Sequence, residues 1–265
     1  MSPTPYPTVN AILGDLQNGI EGVLGDKLVG LALYGSLVTG EFSPDLSDID
    51  LAAFLATDLD ETELNRLEGM HAAIAAAYPV WDDRIEVGYI STKLLRSFDP
   101  AGIIAVISPG EPFHLRRAEA SWLFNLAVLR DGGISLLGPP PHTLIPPIAP
   151  EALGRALCGA MQMWRAWLPD ADRVMNPKSQ AYITLTMCRA LYTKLRGTSV
   201  SKRAAAHWAM TQFPDWSQLI EEALTWYEAR QEPAVDLAAT RAATLRFADF
   251  ATNCVLNGDV PGRYR

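Results

Sequence analysis

Three carboxylates and a glycine-serine pair carry the chemistry that can be read from this sequence. They lie in Leu33-Tyr-Gly-Ser-Leu-Val-Thr-Gly-Glu-Phe-Ser-Pro-Asp-Leu-Ser-Asp-Ile-Asp-Leu51 and in Arg84-Ile-Glu-Val-Gly-Tyr89. In an extended chain alternate residues share a face, so Asp48 and Asp50 project together while Ile49 and Leu51 turn inward. Two adjacent carboxylates repel, and one would take up a proton. A hard divalent cation such as Mg²⁺ holds both ionised, and it takes oxygen ligands of this kind. Gly35 lets the backbone approach a phosphate, and Ser36 adds a hydroxyl beside main-chain amides, which together make a triphosphate cradle. Neither a Gly-Ser pair nor an Asp-x-Asp carries weight alone; the joint spacing does.

Glu86 alternates with Ile85, Val87 and Tyr89, so its carboxylate leaves the strand on the face opposite the apolar set. Beside Asp48 and Asp50 it would act as a general base toward a hydroxyl or as a third metal ligand. On a sheet edge it would simply stand in solvent.

The elements that position these residues follow from periodicity. Val9 to Leu24 places Ile12, Leu16, Ile20, Val23 and Leu24 on one helical stripe. Leu28–Tyr34, Ile49–Leu55 and Arg84–Ile90 read as strands, and Asp60–Tyr78 as a helix, which gives mixed α/β with a central sheet. From Gly138 through Pro139, Pro140, Pro141, Pro146, Pro147 and Pro150 the chain has too few backbone donors for helix or central strand and reads as a linker. Beyond it, 151–167, 180–195, 201–213, 217–231 and 236–255 are successive amphipathic helices, a bundle. The expected domains are 1–145 and 146–265.

A chain of 265 residues, 49% hydrophobic and 20% charged, can bury a substantial core in two domains. A net charge of −8 without a Lys/Arg-rich run disfavours nucleic acid and would attract small cations. Cys158, Cys188 and Cys254 have no zinc or disulfide spacing, which fits a reducing cytoplasm. The Pro-rich start is not a signal peptide and no apolar run spans a bilayer, so neither export nor a membrane is expected. His71, His114, His142 and His207 share no ligand spacing. His114 and Trp122 are candidates for an acceptor pocket, although packing is the default for both. The adjacent pair Arg116-Arg117 reads as a solvated helix start.

The segment from Tyr34 to Leu51 resembles the signature of the DNA-polymerase-β-like nucleotidyltransferases. Nearly the whole chain is similar to the aminoglycoside adenylyltransferases of the streptomycin/spectinomycin 3''/9 type. Ser135-Leu-Leu-Gly-Pro139, Leu185-Thr-Met-Cys-Arg-Ala-Leu-Tyr192 and Ser201-Lys-Arg-Ala-Ala-Ala-His-Trp-Ala209 add to that resemblance. It implies an α+β fold, with a polymerase-β-like domain around a mixed sheet followed by a helical bundle. It also implies Mg²⁺ on Asp48 and Asp50, Glu86 as catalytic base, and Ser36 and Ser47 on the triphosphate of ATP. Lys202 would reach the phosphates from the helical domain, and Tyr227 would line the nucleotide pocket. AMP would pass to a hydroxyl of a small molecule, an aminoglycoside such as streptomycin or spectinomycin, on a monomer.

Three departures bear on the acceptor, one of them the segment Pro109-Gly-Glu-Pro-Phe-His-Leu115. The antibiotic-modifying members carry acids where this chain has Asn176-Pro-Lys-Ser-Gln-Ala181, and an aspartate where it has Ser121. Asp170 and Asp172 are candidate replacements. The readings that compete are a nucleotidyltransferase acting on a non-antibiotic or protein hydroxyl, a sugar-nucleotide glycosyltransferase with an Asp-x-Asp metal site, and a non-catalytic sensor on the same fold.

Overall fold

The computed structural model describes residues 2–168, 174, 176–229 and 235–258. The chain divides into two compact units, Met1–Pro147 and Ile148–Arg265.

In the first unit, α1 (Pro7–Leu24) starts on a proline, whose missing N–H costs nothing there, and buries the stripe Ile12, Leu16 and Ile20. The strands are β1 (Leu28–Tyr34), β2 (Ile49–Leu55), β3 (Ile85–Ser91), β4 (Ile103–Ser108), β5 (Glu111–Arg117) and β6 (Ile134–Leu137). They form one sheet in the order β5-β4-β3-β2-β1-β6. Only β2 and β3 run parallel, joined through α3 (Glu61–Ala77); the other neighbours are antiparallel. Helix α3 opens on a capping box, in which Asp60 accepts from the Glu63 N–H and the Glu63 side chain accepts from the Asp60 N–H.

Alternation sorts the sheet's two faces. Leu31, Leu33, Leu51, Ala53, Val87 and Tyr89 join the residues of α1 and α3 in one core. Each such side chain removed from water contributes roughly 1.5–3 kcal/mol. The other face carries Tyr34, Asp50 and Glu86 in one row, since Tyr34 pairs with Asp50 and Asp50 with Glu86. The next row, Ala32, Ala52, Gly88, Val106 and His114, is mostly small. Onto it packs α5 (Trp122–Gly132), whose Trp122 ring lies so close to Gly88 that an added Cβ there would meet the indole at 2.2 Å.

Residues 92–137 gave no periodic signal, yet they hold α4 (Thr92–Arg96), β4, β5, α5 and β6. Pro109-Gly110 is a hairpin turn, with Gly110 at φ 77° and its N–H donated to Asp83 Oδ1 at 2.5 Å. Arg116 and Arg117 therefore end a strand and do not start a helix. The proline-rich segment also contains a helical turn, α6 (Pro141–Leu144), with proline at its first position. The remaining short element of this unit is α2 (Ser36–Thr39).

The second unit is helical: α7 (Pro150–Trp167), α8 (Pro177–Arg196), α9 (Lys202–Gln212), α10 (Ser217–Glu228) and α11 (Leu237–Asn257). Helix α8 packs against the other four and is buried along most of its length. Among the described residues no helix is long and apolar enough to cross a membrane. All three cysteines are free.

His71 of α3 is buried, 2.7 Å from the Tyr89 hydroxyl and stacked on Phe113, and burial lowers its pKa to about 4. The neutral ring is therefore the folded form, while the unfolded chain takes up a proton near pH 6.5. This contribution to stability is complete above that pH and is lost as the pH falls toward 4, by about 3 kcal/mol. Urea midpoints measured from pH 7.5 to 4.5 should fall steeply for the native chain and flatten in His71→Leu.

Candidate active site

Strand register builds this site. Tyr34 ends β1, and its hydroxyl donates to Glu86 Oε1 at 2.9 Å, although the two residues are far apart in sequence. Asp50 lies between them on β2. Gly35 follows Tyr34 with φ 70° and ψ −146°, a region open essentially to glycine alone, and a Cβ there would stand 1.9 Å from Asp50 Oδ2. The absent side chain thus lets the Asp50 carboxylate rest against the main chain of the Gly35-Ser36 turn. Ser36 opens α2, and Gly40 closes it in the left-handed region.

Asp48 enters the site from the turn that precedes β2. The Ser47 N–H donates to the Ser43 carbonyl at 2.8 Å, and the Ser43 N–H donates to Ser47 Oγ at 2.9 Å. Ser47 thus closes this turn with its hydroxyl, a structural duty that stands beside its place next to Asp48.

Charge and burial act together on the row. Burial pushes the Tyr34 phenol well above its ordinary range, with Glu86 and Asp50 adding to the effect. Burial also raises Glu86, and Asp48 and Glu111 push the same way, while the Tyr34 hydrogen bond and the Arg116 cation oppose them. Asp50 and Glu86 are neighbours across β2 and β3, and Asp48 reaches Glu86 electrostatically. Among the described residues no three His, Cys, Asp or Glu side chains close into a metal-holding group. Two carboxylates suffice for Mg²⁺, however, when substrate phosphates supply further oxygens. Asp50, seated against the Gly35-Ser36 turn, fits that role with Asp48.

A pocket of about 220 Å³ opens beside Glu86, lined by Val106, Ser108, Arg116, Ser121, Trp122 and Asn125. Its Arg116 bridges loosely to Glu111 at 3.6 Å and Glu119 at 3.5 Å. Trp122 both packs and lines the pocket; His114 points to its own turn, with Nδ1 2.7 Å from the Pro112 carbonyl.

The other two candidate residues belong to the helical unit, where they meet each other. Lys202, the first residue of α9, has its ammonium 4.9 Å from the Tyr227 ring and 4.6 Å from the Tyr182 ring, with Nζ donating to Tyr227 Oη at 3.4 Å. Asn176, where antibiotic-modifying relatives are expected to carry acids, is instead the N-cap of α8, its Oδ1 accepting the Ser179 N–H at 2.7 Å. Asp170 and Asp172 lie outside the described residues.

Tyr34, Arg84, Ser108 and Asn125 are site residues that the sequence reading passed over. Tyr34 carried a signal, since it immediately precedes Gly35-Ser36 at a strand end; the other three depend on register and on the hairpin.

Two family models match the chain. Residues 21–95 match the model of the nucleotidyltransferase domain, and residues 143–253 match that of the aminoglycoside adenylyltransferase C-terminal domain. Residues 143–253 thus carry the C-terminal domain of the aminoglycoside adenylyltransferases, behind a nucleotidyltransferase domain. Among solved structures, the chain is similar to spectinomycin adenyltransferase AAD(9) from Enterococcus faecialis, determined with ATP and spectinomycin. The TM-score is 0.72 at 16% identity, over 92% of this chain and 98% of that one. The α+β architecture of a mixed-sheet nucleotidyltransferase domain followed by a helical domain is thus shared with that structure, and the chain is a nucleotidyltransferase.

Gly35→Ala tests the construction. The variant should lose at least ~100-fold in turnover because the methyl displaces Asp50, whereas the backbone strain should cost only about 1–3 kcal/mol of stability. Parallel turnover and urea-unfolding measurements would separate the two effects.

Proposed function

We propose that the chain transfers AMP from ATP to a hydroxyl of a small molecule, with Mg²⁺ held by Asp48 and Asp50. The observation that carries this reading is the single row Tyr34, Asp50, Glu86, with the Gly35-Ser36 turn at one end and a polar pocket at the other. The acceptor hydroxyl occupies that pocket and attacks the α-phosphorus of ATP, pyrophosphate leaves, and Glu86 takes the hydroxyl proton. The metal, when bound, neutralises charge on the triphosphate. Gly35, Ser36 and Ser47 hold the phosphates through main-chain and hydroxyl donors. Tyr34 occupies Oε1 of Glu86, which directs the other oxygen toward the acceptor. Lys202 is assigned to the phosphates and Tyr227 to the base of the nucleotide. The protein works in the cytoplasm as a monomer, without nucleic acid.

The acceptor class with most support is an aminoglycoside of the streptomycin or spectinomycin kind, given the C-terminal domain and the spectinomycin enzyme of the same fold. A non-antibiotic hydroxyl is the second reading. Arg116 and Ser121 in the pocket, and a helix cap at Asn176, favour it, because none of them pairs with an ammonium group.

Pyrophosphate release from ATP and Mg²⁺ should appear with streptomycin or spectinomycin in the panel of acceptors. Asp48→Asn and Asp50→Asn should each lower it by at least ~1,000-fold without unfolding the chain, and chelation of Mg²⁺ should stop it. An active double variant would sink the metal assignment. Silence with every drug, alongside ATP binding seen by calorimetry, would transfer the reaction to the second acceptor class.

A further inference from the structure

The turn that carries Ser47 and Asp48 is held from outside by one side chain. Arg84, just before β3, donates through Nη2 to the Pro44 carbonyl at 2.9 Å and also to the Ser47 carbonyl. Its guanidinium lies 4.1 Å from the centre of the Trp81 ring, and Trp81 in turn stacks on Phe42 at the start of the turn, 6.2 Å between centroids and 4° between planes. The Arg84 main chain is fixed as well, since its N–H donates to the Trp81 carbonyl at 3.1 Å and its carbonyl accepts the Ile49 N–H at 2.9 Å. Asp48 and Asp45 both lie within electrostatic reach of the cation. A loop of this kind would ordinarily be among the less stable parts of a domain. Here a planar fork, stacked on a buried indole, ties both ends of the turn to the strand that carries Glu86.

We propose that Arg84 is a positioning residue, a clamp that sets the Pro44–Ser47 turn so that Asp48 arrives beside Asp50 in the geometry Mg·ATP requires. The proposal rests on the metal assignment made above. A guanidinium donates to two carbonyls in its own plane while its face lies on an indole, whereas an ammonium on a flexible stem has no planar face to stack and would hold the two carbonyls less rigidly. The clamp thereby couples the position of Asp48 to β3: the residue that holds the turn stands two positions from the proposed base.

Three measurements on Arg84→Met and Arg84→Lys decide it. In the ATP-free chain, exchange of the Ser43, Leu46 and Ser47 amides should speed up at least ~10-fold in both variants, with β1 and α1 amides unchanged. The Mg²⁺ concentration giving half-maximal ATP binding, read by calorimetry, should rise about tenfold in both. KM for Mg·ATP should rise with it while Tm falls by less than ~5 °C. Full recovery in Arg84→Lys would overturn the clamp, since charge near Asp48 would then be what matters. A lowered Tm with unchanged exchange and Mg²⁺ dependence would also overturn it, leaving Arg84 as packing for Trp81. Should Arg84→Met fail to fold, Arg84→Gln and Arg84→Lys give the same readings. If the native chain neither binds nor turns over Mg·ATP, the metal assignment falls, and the exchange rates still decide the clamp.

Discussion

Like charges held together on one face of a sheet are the constraint around which the first domain is built. Asp50 and Glu86 are register partners on adjacent strands, and Asp48 adds its field to theirs. Like charges opposite one another across strands destabilise a sheet, and burial raises the cost. The structure offsets this locally. Tyr34 donates a hydrogen bond to Glu86, Gly35 leaves room for the Asp50 carboxylate, and two arginines flank the row, Arg84 on the Asp48 side and Arg116 on the Glu86 side. The opposite face supplies the compensating stability, because every odd-numbered position from Leu31 through Leu51 to Val87 on these strands is buried against α1 and α3. One pleat alternation therefore separates the residues that fold the domain from those that do chemistry in it.

That alternation is why the centre of the site was legible in the sequence. Ile49, Leu51, Val87 and Tyr89 announce their strands, and the acids between them can only face the other way. Asp48 and Asp50, the glycine turn and Glu86 could be named without knowing the sheet order. What could not be read was anything fixed by register. Tyr34 meets Glu86 because β2 separates their strands by one step on each side, a fact no local pattern contains. Arg116 was misread because β5 is an edge strand whose residues are half-exposed or exposed, so it lacks the apolar alternation that marks a buried one. With β5 invisible, the pocket that Arg116 helps line went unseen.

In the helical domain periodicity again gave the elements but not their meeting points. The stripes of α7 to α11 predict a bundle, and α8 at its centre explains why Leu185 to Tyr192 is so apolar. Nothing in those stripes joins Lys202 to Tyr182 and Tyr227, which come from three different helices. The exposed aromatic pair looks like surface scatter in sequence. In three dimensions it restrains a long, flexible cation, and restraint of that kind lowers the entropy lost when such a cation engages an anion.

Strand order also assigns a direction to the site. The glycine turn follows β1, Asp48 and Asp50 lie just before and within β2, Glu86 lies on β3, and the pocket lies over β4, β5 and the start of α5. In the proposed reaction donor, metal, base and acceptor thus follow one another across the sheet. The donor side occupies its middle, where strands are covered on one face by the core and crowded on the other by reacting groups, so a substitution disturbs packing, charge or both. The acceptor side occupies an edge, where Ser108, Arg116 and Ser121 are only partly covered and substitutions away from packing cost within ~0.5 kcal/mol. Selectivity for the acceptor can therefore change at little expense to the fold, whereas the nucleotide side cannot. In the proposed reaction this asymmetry lets the chain keep the row of Tyr34, Asp50 and Glu86 while departing from the antibiotic-modifying pattern at Ser121, and it assigns the choice of acceptor to the pocket wall rather than to the carboxylates.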